Sequence, residues 1–270
     1  MKIARLETND GSFYAIAQED GSYTQATGDL YEGLSDSGTV ISGKLLAPLE
    51  PTNIMCIGLN YIKHAEEGGM ELPKHPILFM KTTSTLQNPG DPIVIPRKQF
   101  SDKVDFEAEL AVVIGKSCYN ASREDALDYV LGYTCANDVS ARDWQKHGGG
   151  RQWCRGKTFA TFCPMGPVLV TADEIPDPNA LAIRSVLNDQ VMQVWNTDDM
   201  IFDVPALIES LSGSTVLPAG TVILTGTPHG VGFARTPPVW MQPGDEISIE
   251  IEGIGTLTNP VVEEVLEEVL

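Results

Sequence analysis

Between Val104 and Gly115 the chain reads Val-Asp-Phe-Glu-Ala-Glu-Leu-Ala-Val-Val-Ile-Gly, and this segment constrains the fold more than any other. A β-strand sends alternate side chains to opposite faces, so Asp105, Glu107 and Glu109 are expected on one face, with Phe106, Ala108 and Leu110 on the other. The strand then runs into Ala-Val-Val-Ile, which is apolar throughout and must form core. An acidic row entering such a strand is costly, because like charges repel and burial disfavours the charged form. A bound cation removes that cost. Carboxylates without a nearby His or Cys make a hard oxygen site, suited to Mg²⁺, Mn²⁺ or Ca²⁺ rather than Zn²⁺. The alternative is an exposed strand face that is acidic only because the whole chain is.

The rest of the chain is punctuated in the same short-strand rhythm. Strands are expected at Lys2–Glu7, Phe13–Gln18 and Tyr23–Ala26, joined by Asn-Asp-Gly and Glu-Asp-Gly turns, as a small antiparallel N-terminal module. Residues 28–50 read as a Gly/Ser/Asp-rich connection, so the expected division is 1–50 and 51–270. Further strands are expected at Ile54–Gly58, Ile77–Lys81, Pro92–Ile95, Phe106–Ile114, Leu131–Asn137, Pro167–Thr171, Ala182–Leu187, Thr221–Leu224 and Glu246–Ile251. Helices are expected at Tyr61–Glu67, at Val204–Leu211, and after the capping box Ser122-Arg123-Glu124-Asp125. Many short strands with few helices predict a mainly β fold with short helices (α+β), a barrel or roll rather than a βαβ sheet.

At 270 residues with 42% hydrophobic content, the chain can bury a sizeable core. A formal net charge of −19 argues against nucleic acid and anionic membranes as partners. Small anions are not excluded, since a few basic residues focused in a cleft can override the overall charge. No apolar run approaches the roughly 20 residues that span a bilayer. The first residues read neither as a signal peptide nor as an Arg-rich transit peptide. Cys56, Cys118, Cys135, Cys154 and Cys163 show no zinc spacing and read as reduced thiols of a cytoplasmic protein, a mitochondrial location staying open.

Asp138 ends a hydrophobic strand in Asn137-Asp138-Val139-Ser140-Ala141-Arg142-Asp143, where it is placed as a third oxygen ligand. Arg142, one helical turn on, is placed to grip a carboxylate bidentately. An N-cap and a surface arginine explain the same residues. In Tyr61–Glu67, His64 and Glu67 share a helix face at i,i+3, the spacing of a carboxylate-held general base or of a surface ion pair. Gly68-Gly69 would let this helix behave as a lid. Lys157 is an isolated cation among small and aromatic residues. The Thr225–Gly232 loop lacks the Gly-Lys-Ser/Thr ending of a phosphate loop, which excludes nucleotide binding by that route.

Taken together, these segments resemble the fumarylacetoacetate hydrolase family, in its branch of domain-containing proteins. The matching strings are Gly58-Leu59-Asn60-Tyr61 with His64-Ala65-Glu66-Glu67, Phe79-Met80-Lys81, Asp105-Phe106-Glu107-Ala108-Glu109-Leu110, Asn137-Asp138-Val139-Ser140-Ala141-Arg142-Asp143, Gly156-Lys157-Thr158-Phe159, Asn196-Thr197, Met200-Ile201-Phe202 and Leu224-Thr225-Gly226-Thr227-Pro228. The resemblance implies a rolled β-sandwich, a homodimer, and one Mg²⁺ or Mn²⁺ (Ca²⁺ being a further fit) on Glu107, Glu109 and Asp138. It makes His64, Glu67 and Lys157 catalytic and assigns Arg142, Gln145, Thr227, Tyr61 and Lys81 to substrate binding. One departure stands out: Ala160 follows Phe159 where many relatives carry Asp. Substrates of the family hold a 2-oxo acid or 1,3-dicarbonyl unit, whose reactions share an enolate stabilised by the metal as Lewis acid. The expectation is hydrolytic C–C cleavage of an acylpyruvate-like acid. Tautomerisation or decarboxylation of oxaloacetate, and a catalytically inactive binding module, are the alternatives.

Overall fold

A computed structural model describes residues 1–266, so the end of the region expected over 51–270 lies outside the described residues. Its architecture follows from the strand Ala108–Ile114, every residue of which is buried. Leu110, Val112 and Ile114 enter one apolar cluster while Ala111 and Val113 enter another, so both faces of this strand are covered. Burying side chains of that size contributes about 1.5–3 kcal/mol each relative to exposure. This strand lies inside a 12-stranded, mostly antiparallel sheet, between Val130–Asn137 and Thr221–Leu224. Beyond Thr221–Leu224 come Asn53–Gly58, paired in parallel, and then Ile77–Lys81 at the edge.

A five-stranded sheet, ordered Gln190–Asn196, Ala182–Leu187, Glu246–Ile251, Gly255–Glu263 and Ile93–Ile95, supplies Ile183, Ile249 and Leu257 to the same cluster as Leu110. A two-stranded pair joins Val104–Asp105 to Ser140–Ala141. The fold is mainly β, as expected, but it is not a barrel. Among the described residues no sheet closes: the large one ends at Gly33–Ile41 on one side and Ile77–Lys81 on the other.

Several elements differ from the sequence reading. The N-terminal strands are not detached: Lys2–Thr8 pairs with Cys163–Thr171, extending the large sheet. The expected connection over 28–50 contains the strands Gly33–Ile41 and Lys44–Leu46. Gly33–Ile41 is polar and almost wholly exposed, so only its pairing with Tyr23–Asp29 makes it a strand. The hairpin of Ala182–Leu187 with Gln190–Asn196 turns through Asn188 and Asp189, both at positive φ, where those residues are well tolerated. At Ser122 half of the box forms, the Asp125 N–H donating to Ser122 Oγ at 3.2 Å, yet only a 3₁₀ turn, Ala126–Tyr129, follows. The next strand begins at Val130 and leaves no room for a longer helix. The helix Val204–Ser212 is capped by Asp203, which accepts from the Ala206 N–H at 3.0 Å, and buries Leu207, Ile208 and Leu211.

Candidate metal centre and active site

The acidic row does not stay on one strand. Asp105 ends one short strand and Ala108 begins the next, with Phe106 and Glu107 between. This break separates the roles of the acids. Asp105 turns away and accepts from the Gly232 N–H at 2.7 Å, the Phe233 N–H at 3.1 Å and Arg142 Nε at 2.8 Å. Glu107 and Glu109 instead converge with Asp138, their carboxylate oxygens lying within 4.8 Å of one another and all buried. Asp138 follows the strand Val130–Asn137 directly, so the Ala108↔Asn137 register sets it beside Glu107. Its N–H donates to the Glu107 carbonyl at 3.0 Å.

Cations hold two of the three acids. Lys157 Nζ lies 2.6 Å from both Glu107 Oε2 and Asp138 Oδ2, and Lys81 Nζ lies 2.6 Å from Asp138 Oδ1. Arg142 Nη2 lies 2.7 Å from Glu107 Oε1. Burial pulls the Lys157 ammonium toward neutrality, but Asp138 and Glu107 outweigh it and hold its pKa above the ordinary value. Burial likewise works to raise Glu107, yet Arg142 and Lys157 win and depress it. Burial raises Asp105, with Arg142 opposing; its bonds to Arg142 and two N–H groups favour the ionised form.

Among the described residues Glu109 has only the Gly226 N–H, at 2.7 Å on Oε2, and a weaker pull from Lys157. Burial first, and then repulsion from Asp138 and Glu107, push its pKa well above the carboxylate range. The four buried acids Asp105, Glu107, Glu109 and Asp138 face three buried cations, Lys81, Arg142 and Lys157. Ionised, the four acids would leave one negative charge uncompensated, on Glu109, the acid with no direct cationic partner among the described residues. A hard divalent cation fits that all-oxygen set and that deficit.

Glu107 and Glu109 line a cavity of about 300 Å³, whose walls include His64, Arg142, Gln145, Lys157 and Thr227, with Ile57, Met70, Phe79, Trp153 and Phe233 as its apolar part. Gly156 lets Lys157 approach: a Cβ there would meet Gln145 N at 2.4 Å and the Ala141 carbonyl at 2.6 Å. Gly226, at φ +97°, does the same for the loop that serves Glu109. Against the cavity lies the helix Ile62–Glu67, with His64 and Ala65 buried. His64 Nδ1 is 3.4 Å from Glu67 Oε2, and Glu67 also accepts from the Gly230 N–H at 3.1 Å. Burial would raise the Glu67 carboxyl, but His64 and the Gly230 N–H lower it overall.

Of the residues expected to bind substrate, Arg142, Gln145 and Thr227 stand on the wall. Much of the Arg142 fork is already engaged, by Asp105, by Glu107 and by Gln145 Oε1 at 3.0 Å. The structure does not bring Lys81 or Tyr61 to the wall. Lys81 is spent on Asp138 and the Val139 carbonyl, while Tyr61 stands at the N-terminus of the helix Ile62–Glu67 without capping it, its buried hydroxyl having no hydrogen-bond partner among the described residues. Sequence reasoning missed Gln193, which accepts from the Ala108 N–H at 3.0 Å and donates to Thr227 Oγ1 at 2.8 Å, fixing that hydroxyl. It also missed Asn60, which donates to the Thr225 carbonyl at 2.7 Å and ties the lid to the Gly226 loop. A polar residue inside an apolar strand was the available signal for Gln193.

The fold and the site together describe a class: β-fold enzymes with a buried carboxylate centre for a hard cation beneath a His–Glu helix. Residues 53–262 match the fumarylacetoacetate (FAA) hydrolase C-terminal family, and the chain belongs to that family. It is 52% identical over 219 residues to the Xenopus laevis protein named oxaloacetate tautomerase fahd2, mitochondrial, spanning 81% of this chain and 68% of that one. It is 47% identical over 218 residues to human oxaloacetate tautomerase FAHD2A, mitochondrial, spanning 80% of this chain and 69% of that one. Among solved structures, fumarylacetoacetate hydrolase from Exiguobacterium antarcticum superposes with TM-score 0.87 at 35% identity over 98% of this chain and 100% of the other. The 5-carboxymethyl-2-hydroxymuconate delta-isomerase of Mycobacterium smegmatis does so with TM-score 0.86 at 36% identity, over the same shares.

Proposed function

We propose that this chain is a divalent-metal-dependent tautomerase that interconverts the keto and enol forms of oxaloacetate. The observation that carries this reading is the three-carboxylate centre beside a small cavity walled by Arg142, Lys157, Gln145 and His64. Glu107, Glu109 and Asp138 would hold the cation, with Mg²⁺ or Mn²⁺ favoured and Ca²⁺ a poorer fit to a tight site. When bound, it supplies Lewis acidity toward the oxygens of a 2-oxo acid.

The protein's own groups account for the proton movement. Tautomerisation moves a proton from C3 of the diacid to the oxygen on C2. Glu67 engages Nδ1 of His64, which leaves the other ring nitrogen to take the C3 proton and, from the resulting imidazolium, to return it to the C2 oxygen. Lys157, kept charged by Glu107 and Asp138, places an ammonium where negative charge develops on the C2 oxygen. Arg142, Gln145 and Thr227 orient the carboxylates, and the lid together with Phe79, Trp153 and Phe233 excludes water. Oxaloacetate needs no attacking water for this reaction, which suits a cavity with apolar walls.

The hydrolytic reading stays as the second. It is favoured by the same His64–Glu67 pair, which could activate water, and by the likeness to a solved fumarylacetoacetate hydrolase. Product analysis with Mg²⁺ or Mn²⁺ separates them. Loss of enol absorbance from oxaloacetate without pyruvate is the expected result. Pyruvate plus carbon dioxide would show decarboxylation, and pyruvate plus an acid from acylpyruvates would show hydrolysis. Absence of any turnover together with no calorimetric metal binding would leave a binding module.

A homodimer is part of the proposal. The edge strand Ile77–Lys81 exposes Leu78 and Met80, and Met70 and Leu72 are exposed nearby in sequence, an apolar edge that a second copy would cover. Light scattering tests it. Among the described residues no helix is long and apolar enough to cross a membrane. A cytoplasmic place remains the proposal beside relatives named mitochondrial, and fractionation decides between them.

A further inference from the structure

We propose that Phe233 sets the length of 2-oxo diacid this enzyme accepts, by closing the reaction cavity off from a second, cationic cavity able to take a distal carboxylate. The inference rests on the 2-oxo diacid reading above. The second cavity, about 370 Å³, abuts the first and shares Arg142, Lys146 and Phe233 with it. Its remaining wall brings Lys103 and His147 beside Trp240. The one acid there, Asp143, already accepts from Ser101 Oγ at 2.7 Å and the Trp144 N–H at 3.0 Å. In a chain of net charge −19, this is a local surplus of cations next to the active site. Two ammonium groups beside an aromatic wall recognise a carboxylate at the end of an aliphatic chain.

Phe233 is the partition, and its position is enforced from two directions. Its N–H and that of Gly232 are both held by Asp105, at 3.1 and 2.7 Å. Its ring lies 4.4 Å from the Arg142 guanidinium and 4.6 Å from the Lys146 ammonium, a cation–π pairing that ties it to the cations of both cavities. The His64 ring meets it edge-on at 6.1 Å. On this proposal the chain of a diacid whose distal carboxylate reaches Lys103 has to pass Phe233, which lines both cavities, and so displaces its ring. Asp105, the acid that does not join the metal centre, thereby serves to position the partition.

The test measures binding by calorimetry with Mn²⁺, using saturated 2-oxo diacids of five and seven carbons. The wild-type protein is expected to favour the five-carbon acid. Phe233→Ala should shift the ratio of affinities toward the seven-carbon acid by about ten-fold or more, the scale of one recovered charge-assisted hydrogen bond. Adding Lys103→Ser should remove most of that gain while leaving five-carbon binding unchanged, since Lys103 lines only the second cavity. If Phe233→Ala does not fold, Phe233→Leu should shift the ratio the same way by less, and Phe233→Trp should shift it the opposite way. A ratio unmoved by these substitutions overturns the inference, as does a gain indifferent to Lys103. Failure of the tautomerase reading is seen separately, as wild-type protein that does not consume the oxaloacetate enol.

Discussion

In the acidic centre at the cavity, Glu107 and Asp138 have a cation on every oxygen, supplied by Arg142, Lys157 and Lys81 at 2.6–2.7 Å, all in the buried interior. In the helix Ile62–Glu67 beside it, Glu67 is partly exposed; it meets His64 of its own helix at 3.4 Å and reaches outside the helix only to the N–H of Gly230 among the described residues. The difference teaches how the work is divided. Groups that must not move are locked by charges that cannot be separated without leaving one unpaired in the interior, which costs roughly 3–5 kcal/mol. The helix carrying His64 and Glu67 is held there by contacts worth about 1 kcal/mol, which water can replace.

The sharpest way to break this comparison is to neutralise the one acid of that centre that lacks a cation. Glu109→Gln should abolish detectable Mg²⁺ and Mn²⁺ binding and lower turnover by about a thousand-fold, on the scale of losing a principal electrostatic contributor. Yet in EDTA it should melt higher than wild type as pH rises through the Glu109 folded pKa, because the amide cannot take on the repelled buried charge. A variant that keeps its metal, or that melts lower in EDTA, contradicts the assignment.

A lid substitution should behave in the opposite way. His64→Ala should cut turnover by about 10²-fold, within the range for general acid–base groups, and leave metal affinity unchanged by calorimetry. Lost metal affinity would place His64 among the ligands instead.

The pH dependence sharpens the acidic centre further. Glu109 has a folded pKa raised above its usual 4.5, so its contribution to stability is full below that value and is lost as pH rises through the folded pKa. Glu107 and Glu67 are shifted down, so their contributions are lost only as pH falls below the usual range. Above about pH 4.5, melting temperature in EDTA should therefore fall with rising pH, and Mn²⁺ should restore progressively more of it. A Mn²⁺ increment that is flat with pH contradicts the Glu109 assignment.

The smallest effect belongs to the latch. Glu67→Gln keeps an acceptor for Gly230 but loses the charge facing His64, and should lower turnover by about ten-fold with a melting temperature within about 2 °C of wild type. A large loss of stability would mean that the lid is part of the core.

Much of the site could be read along the chain because its chemistry is written in residue types. Glu107 and Glu109 lead into Ala-Val-Val-Ile, Asp138 ends a hydrophobic run, and a buried acid needs a partner wherever the fold puts it. The large-sheet strands with apolar patterns could be read for the same reason. The polar strand Gly33–Ile41 could not, since its only cause is a neighbour in space. Nor could the parting of Asp105 from Glu107 and Glu109, because periodicity assumes one continuous strand, and here the chain leaves one sheet for another across Phe106 and Glu107.

By itself, then, the sequence determined that a buried acidic cluster, a histidine paired with a glutamate and a β-rich core belong to this protein, because burial, charge and side-chain chemistry are local properties. The tertiary structure alone decided that Lys81 braces Asp138 instead of lining the cavity, that Gln193 fixes Thr227, and that Asp105 serves Phe233. Those are pairings across 57, 34 and 128 positions. Which acid meets which cation at such separations depends on register and on where strands end, and neither is encoded in the spacing of any one segment.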